Sequence, residues 1–234
     1  MDKIEEFNGI KLLSGINTHP GSGNARQHQE EYDKFQHVLS NVATINKDNP
    51  VMIELGSNWA LWSLCFRKAF PNGQNILIEL GKRALLVGVE NFNLNNFTQK
   101  HYWGGIFLNN SGTFGNRKAD LEYPKIDGEY YDDSISGNVV GPELDFIDIL
   151  NKEKIDIVDL LHMDIQGSEL PLMRQLSDFN LLRNFNNLVI ATHSQSIHKE
   201  IKNILLKNNF TIMEECEFGS VGGDGMFFAT QKKQ

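Results

Sequence analysis

Four short stretches of the chain combine residue types able to do chemistry. The first is Glu54-Leu55-Gly56-Ser57-Asn58. A glycine there lets the backbone turn sharply and come close to a ligand, where a Cβ would obstruct. The second is Glu79, about 20 residues further on, the spacing at which an acid accepts hydrogen bonds from a ribose diol. Glycine turn and acid together favour a ligand with an adenosyl group. The third stretch is His162-Met163-Asp164-Ile165-Gln166-Gly167-Ser168-Glu169, and the fourth is Thr192-His193-Ser194. His193, Asp164 and His162 are the candidate general bases, His193 having the side chain whose ordinary pKa best suits neutral pH. Asp164 and His193 would also suit a divalent metal. Two protein ligands do not define a site, so no metal ligand set is assigned.

These residues need a scaffold that brings strand ends together. From Pro50 onward, short apolar runs alternate with helical patterns. Strands are expected at 51–55, 75–80, 100–108, 155–163 and 187–191. Helices are expected from the Gly56 turn to about residue 69, then at 82–94, 142–150, 168–176 and 197–207, with Pro142 in the first turn of its helix. Runs at 210–216 and 226–230, joined by a Gly-rich loop, form a closing hairpin. The alternation implies an α/β fold, a Rossmann-like doubly wound seven-stranded sheet, mostly parallel, with the hairpin adding an antiparallel strand at one edge. Ligands in such sheets bind beyond the carboxyl ends of the strands, at the switch point, and all four stretches lie just after strands. A helix over residues 26–45 precedes the sheet. One domain is expected over 1–234, with 1–47 as a cap and 50–234 as the core.

Composition narrows the function classes. Of 234 residues, 40% are hydrophobic and 22% charged, which is ordinary globular usage. A formal charge of −8, with no long Lys/Arg cluster, opposes binding along a nucleic-acid backbone. No apolar run is long enough to cross a membrane and the amino terminus does not resemble a signal peptide, so a cytoplasmic protein is expected. Cys65 and Cys216 form no disulfide framework or zinc spacing, which fits a reducing compartment. Trp59, Trp62 and Phe66 follow the Gly56 turn at helical spacing and read as core. The glycine-rich stretch 219–225 reads as a hairpin connection, because Glu214, Glu215, Glu217 and Asp224 around it oppose an anion.

Asp164-Ile165-Gln166-Gly167-Ser168-Glu169 resembles the D-[VI]-[EQ]-G-[AS]-E signature of FkbM-family methyltransferases, a branch of the class I S-adenosylmethionine-dependent enzymes. Gly56-Ser57-Asn58-Trp59-Ala60-Leu61-Trp62-Ser63 is similar to that family's G-[AS]-N-x-G-x-x-[ST] turn. Ala191-Thr192-His193-Ser194, followed by Ile197-His198, is similar to a T-H-S element of one subgroup. The resemblance runs over residues 51–230. It departs at Ala60, where the family usually has glycine, and at His162, where many members have lysine. The resemblance implies S-adenosylmethionine as cofactor, methyl transfer to an oxygen of a sugar or other small metabolite, and a sheet closed by an antiparallel hairpin. It points to Glu54, Gly56, Ser57, Asn58, Glu79, Asp164 and Gln166 as cofactor-binding, with Ser111 at the adenine position by its place after the third strand. A small-molecule acceptor, no nucleic acid and no membrane are the expected partners. The competing readings are an NAD(P)-dependent oxidoreductase or epimerase, which the missing G-x-G-x-x-G disfavours, and a cofactor-binding protein without activity.

Overall fold

The computed structural model describes residues 3–14, 25–45, 48–107, 125–126, 129–131, 139–221 and 223–232. The chain opens with β1 (Lys3–Phe7) and β2 (Ile10–Ser14), an antiparallel hairpin. Its turn is Asn8-Gly9, both residues with positive φ of 46° and 73°. Asn-Gly is the strongest short signal for a two-residue hairpin turn. Three charges in the five residues of β1 hide this strand from hydrophobic periodicity alone. Next comes α1 (Gln29–Thr44), which buries Phe35, Val38, Leu39 and Val42 as the helical spacing requires.

The core units follow in order: β3 (Val51–Leu55), α2 (Leu61–Ala69), β4 (Gln74–Glu79), α3 (Lys82–Leu94) and β5 (Lys100–Trp103). The strand expected at 100–108 is broken. The Gly104 N–H goes to the Glu79 carbonyl and the Gly105 N–H to the Pro142 carbonyl, which carries the chain out of the main sheet. It continues as β6 (Gly105–Phe107), past the short strands β7 (Lys125–Ile126), β8 (Glu129–Tyr131) and β9 (Val139–Val140), and β6 pairs in parallel with β10 (Glu143–Asp145). The helix α4 (Phe146–Glu153) starts four residues later than expected. Pro142 lies before it, and Asp145 caps it by accepting the Ile147 N–H at 2.8 Å.

The second half comprises β11 (Leu160–Met163), α5 (Glu169–Asp178), β12 (Asn187–Thr192), α6 (Gln195–Lys207), β13 (Phe210–Val221) and β14 (Asp224–Gln231). The seven strands lie in the order β13-β14-β12-β11-β3-β4-β5. The antiparallel member is β14, which sits inside the sheet between β12 and β13 and not at the edge. The reason is in its side chains. Met226 to Ala229 are buried on both faces, whereas β13 carries Glu214, Glu215 and Glu217 and breaks register twice, as suits an edge strand.

Strand alternation divides the interior in two. Met52, Leu77, Leu160, Val189 and Phe228 join a layer with α1, α2, α3 and the first hairpin. Ile53, Leu55, Ile78, Leu161, Met163, Ile190 and Phe227 face α4, α5 and α6. Each such fully buried side chain contributes roughly 1.5–3 kcal/mol. The strand order turns back between β3 and β11, so the carboxyl ends of those two strands form the crevice. No helix among the described residues is long and apolar enough to cross a membrane.

Candidate functional site

The chain leaves β3 through Gly56, whose φ is 74°. A Cβ built there would lie 1.8 Å from the Asp164 carbonyl oxygen. The glycine is therefore required by the loop after β11, which packs against its backbone, and the Asp164 N–H donates to the Leu55 carbonyl at 3.0 Å. The Gly56 and Ser57 N–H groups both donate to the Ile78 carbonyl, at 2.9 and 3.1 Å. The sequence reading placed the amino end of the next helix at this glycine. Instead the helix begins at Leu61, and its Ser63 N–H is taken by the Glu54 carboxylate at 3.1 Å. Ala60, where the resemblance noted above led to an expectation of glycine, has φ 63°. A left-handed non-glycine residue costs roughly 1–2 kcal/mol. Its methyl is fully buried and returns roughly 0.8 kcal/mol of that cost, which is why alanine is tolerated there.

Glu79 ends β4 and ties the turn together. One oxygen accepts the Asn58 N–H and the other the Gly81 N–H, both at 2.8 Å. Burial pushes this carboxyl up, while those two backbone donors work in the opposite direction. Ser57 Oγ is buried with no hydrogen-bond partner among the described residues.

Glu54 and His162 are register neighbours on β3 and β11. Alternation turns both into the layer under α1 and away from the crevice. Glu54 is 1% exposed and His162 is 2% exposed. The His162 ring lies against Trp62 and Phe35, at 5.9 and 6.4 Å, with Nδ1 3.8 Å from Glu54 Oε1. Burial lowers the His162 pKa to about 4 and raises that of Glu54 to about 8. His162 is thus a neutral core residue, and its assignment to catalysis is withdrawn. Because the folded-state pKa of Glu54 is raised, its carboxyl favours folding at acid pH, and that contribution is lost as pH rises through about 8. Stability should therefore fall by up to about 1.4 kcal/mol per pH unit from near pH 5 to near pH 8. Glu54→Gln cannot ionise and keeps an acceptor for Ser63, so denaturant unfolding of this variant should show a flatter pH profile.

The loop after β11 is built on Glu169, which is fully buried. Its two oxygens accept the Ile165 and Gly167 N–H groups, each at 2.8 Å. Gln166, exposed and with φ 54°, donates from its side-chain amide to Asp164 Oδ1 at 3.1 Å. His193, at the end of β12, stands between these acids. Its Nε2 lies 3.2 Å from Asp164 and 3.8 Å from Asp224, and its Nδ1 lies 3.1 Å from Glu169. Burial would lower the pKa of His193, but Asp164 and Glu169 outweigh it and raise it to about 10. Burial likewise opposes ionisation of Asp164, yet the adjacent His193 holds that carboxyl below the ordinary value. The Asp224 carboxyl is raised, by burial first and then by Asp164, Glu169 and Glu31.

The structure therefore brings Asp164, Gln166 and His193 together beside the Gly56, Ser57, Asn58 and Glu79 turn. It leaves Glu54 and His162 beneath that turn, and Ser111 lies outside the described residues. The role of His193 as a base rested on an ordinary imidazole pKa, which the two carboxylates remove: an imidazolium has no lone pair to offer. Sequence reasoning missed Asp224, which the hairpin delivers to His193, and the part played by Glu169. The only signal for Glu169 was its place in the signature. Asp224 gave none beyond being an acid in a turn.

The family described as Methyltransferase FkbM domain matches residues 15–217. No curated protein matches. A Streptococcus mutans protein assigned as a SAM-dependent methyltransferase superposes with a TM-score of 0.56 at 12% identity, over 98% of this chain and 55% of its own. SMU.776, assigned as a methyltransferase and complexed with SAH, gives 0.54 at 12% identity, over 98% and 56%. WbdD gives 0.57 at 9% identity, over 93% and 44%. At these identities the likeness is one of fold, and the chain spans about half the length of these three structures.

Proposed function

The chain belongs to the FkbM methyltransferase family, and from that premise we propose that it moves a methyl group from S-adenosylmethionine to a hydroxyl of a small carbohydrate acceptor. The observation that carries the reading is the contact of the Gly56 turn with the Asp164 loop at the switch point of the sheet. Glu79 ends β4 on one side of that switch point, and His193 follows β12 on the other. We take residues 1–234 as one domain with 1–47 as its cap, since Phe7, Ile10, Leu12 and Phe35 share a buried layer with α2 and the sheet. A cytoplasmic setting is supported by Cys65 and Cys216, both buried and unpaired.

The residues suit the cofactor. Each oxygen of Glu79 uses one lone pair on a backbone N–H, leaving others for a vicinal diol. The orphaned Ser57 hydroxyl is a further polar group that a bound molecule would satisfy. S-adenosylmethionine supplies a methyl carbon made electrophilic by its sulfonium. The work left to the chain is to hold the acceptor oxygen in line at about 3 Å and to take its proton. Methyl transfer would leave the electron pair of the broken carbon–sulfur bond on sulfur, and the acceptor hydroxyl would give its proton to a base of this chain. His162 is enclosed, His193 already holds a proton and Asp164 is engaged by Gln166 and His193. Asp224, with 43% of its side chain exposed at the mouth, is the group we assign to receive the proton.

A carbohydrate acceptor is favoured by the surplus of acid. Asp164, Glu169 and Asp224 surround one imidazole, and Glu31 of α1 adds to the field at Asp224. Carboxylates accept from neighbouring sugar hydroxyls and repel phosphate. Calorimetry should find binding of S-adenosylmethionine but not of NAD, and Glu79→Ala should weaken it about 10- to 100-fold, the value of one or two hydrogen bonds to a charged group. Binding of NAD alone would overturn the reading. Labelled-methyl assays over sugars, nucleotide-sugars and phenols test the acceptor: transfer to phenols alone would exclude carbohydrate.

A further inference from the structure

The Asp164 and His193 cluster has a geometry that a proton does not explain. Asp164, Glu169 and His193 each offer one ligand atom, and these atoms all lie within 4.8 Å of one another. The nearest nitrogen–oxygen separations are 3.1 and 3.2 Å. Yet both ring nitrogens of His193 are buried without a hydrogen bond of acceptable direction, although a carboxylate oxygen stands beside each. A ligating nitrogen must offer a lone pair, so an ion bound here would take the place of the ring's proton. An ion takes only one of the two ring nitrogens, so just one of these separations can lie between neighbouring ligands. Around a six-coordinate cation with bonds of about 2.1 Å such neighbours stand about 3 Å apart, and the third ligand atom lies within 4.8 Å of both.

We propose that Asp164, Glu169 and His193 form a site for a divalent cation of the Mn²⁺ class, with its remaining positions open toward Asp224 and the acceptor. Two carboxylates with one imidazole and no thiolate suit such an ion. The loop is already organised for it. Two backbone N–H groups fix the Glu169 carboxylate while leaving it further lone pairs, and the Gln166 amide steadies Asp164. With Asp224 beside His193, three carboxylates face one ring, a surplus of negative charge that a dication would neutralise. A second grouping, His198 with Glu215 and Glu217, lacks these properties. There both ring nitrogens are occupied, Nδ1 by Thr192 Oγ1 at 2.8 Å and Nε2 by Glu215 at 3.2 Å, and Lys202 neutralises Glu215.

A cation at this place would bind the acceptor oxygen and make its O–H more acidic. That role rests on the methyl-transfer reading, whereas the cation site itself does not. The test is titration of chelator-treated protein with Mn²⁺, followed by the paramagnetic resonance of the free ion and by calorimetry. One saturable ion per chain is expected, with Asp164→Asn and His193→Gln each weakening it tenfold or more. Thermal melts of both variants establish that they fold. Absence of saturable binding at millimolar Mn²⁺, or binding that both variants leave unchanged, overturns the site. S-adenosylmethionine titrated into the same preparation separates the two claims. Cofactor binding without Mn²⁺ binding sinks the cation site and leaves methyl transfer standing, while the converse sinks the methyl-transfer reading alone.

Discussion

Replacing Gly56 by alanine is expected to remove about 3 kcal/mol or more of stability and to abolish cofactor binding. Two independent terms contribute. The left-handed φ of 74° costs a side chain roughly 1–2 kcal/mol. The added methyl also meets the Asp164 carbonyl at 1.8 Å, a backbone atom that no rotamer change can move. Forcing such an overlap apart typically costs 1–3 kcal/mol more, through backbone shifts. For a domain of this size each kcal/mol lowers the Tm by roughly 2–4 °C, so a fall of roughly 6–12 °C or greater should appear in a thermal melt. The displaced loop carries Asp164, and S-adenosylhomocysteine binding measured on the folded fraction should fail with it. A variant that melts like the parent would mean that the two loops do not touch.

The largest effect on turnover is expected at Asp224. Asp224→Asn keeps the size and polarity of the side chain but cannot take a proton. Loss of a positioned general base typically lowers kcat 10²- to 10⁴-fold. Asp224 is not among the groups of the Gly56 turn or Glu79, so the affinity for S-adenosylmethionine should change by no more than about threefold, a small fraction of what a charged hydrogen bond is worth. Labelled-methyl transfer measured beside calorimetry reads both quantities. Should kcat survive, the proton leaves by another route and the hairpin acid is only a wall of the site.

The scaffold was legible where local pattern and tertiary demand agree. The runs 51–55 and 187–191 are buried on both faces, so an apolar strand was the one consistent reading, and β3 and β12 lie there. The break after β5 was not legible, because it depends on where the Glu79 and Pro142 carbonyls lie and not on residues 100–108 themselves. Pro142 misled for a related reason: proline fits a first helical turn, but it fits equally before β10, and Asp145 was the better start signal. The position of β14 within the sheet follows from burial on both sides, which a four-residue apolar run does not distinguish from an edge.

At the candidate site the sequence identified the strand ends but misjudged which side chains face the crevice. Glu54 and His162 sit two residues inboard of the turns, and the two-residue period sends them under α1. His193 was found from its position, but its charge state depends on Glu169 and Asp164, which approach it only in three dimensions. Asp224 lies 31 residues beyond His193 in the chain, and only the pairing of β12 with β14 brings them together.

The pairing of β3 with β11 has a kinetic meaning. Within each half of the sheet, neighbouring strands are close in the chain, joined through single helices or a turn except for β12 and β14, which are linked through α6 and β13. Each half can therefore form from contacts of modest sequence separation. The seam is different. Val51 and Asp159 exchange hydrogen bonds across 108 residues of chain, through the Val51 N–H to the carboxylate and the Asp159 N–H to the Val51 carbonyl. Closing so long a loop is the slow, entropy-limited event in assembling such a topology. The crevice exists only once that seam has closed. A molecule gripping Glu79 on one half and the Asp164 loop on the other holds the halves together after the fact. Its influence falls on the rate of escape from the native state and not on the rate of arrival.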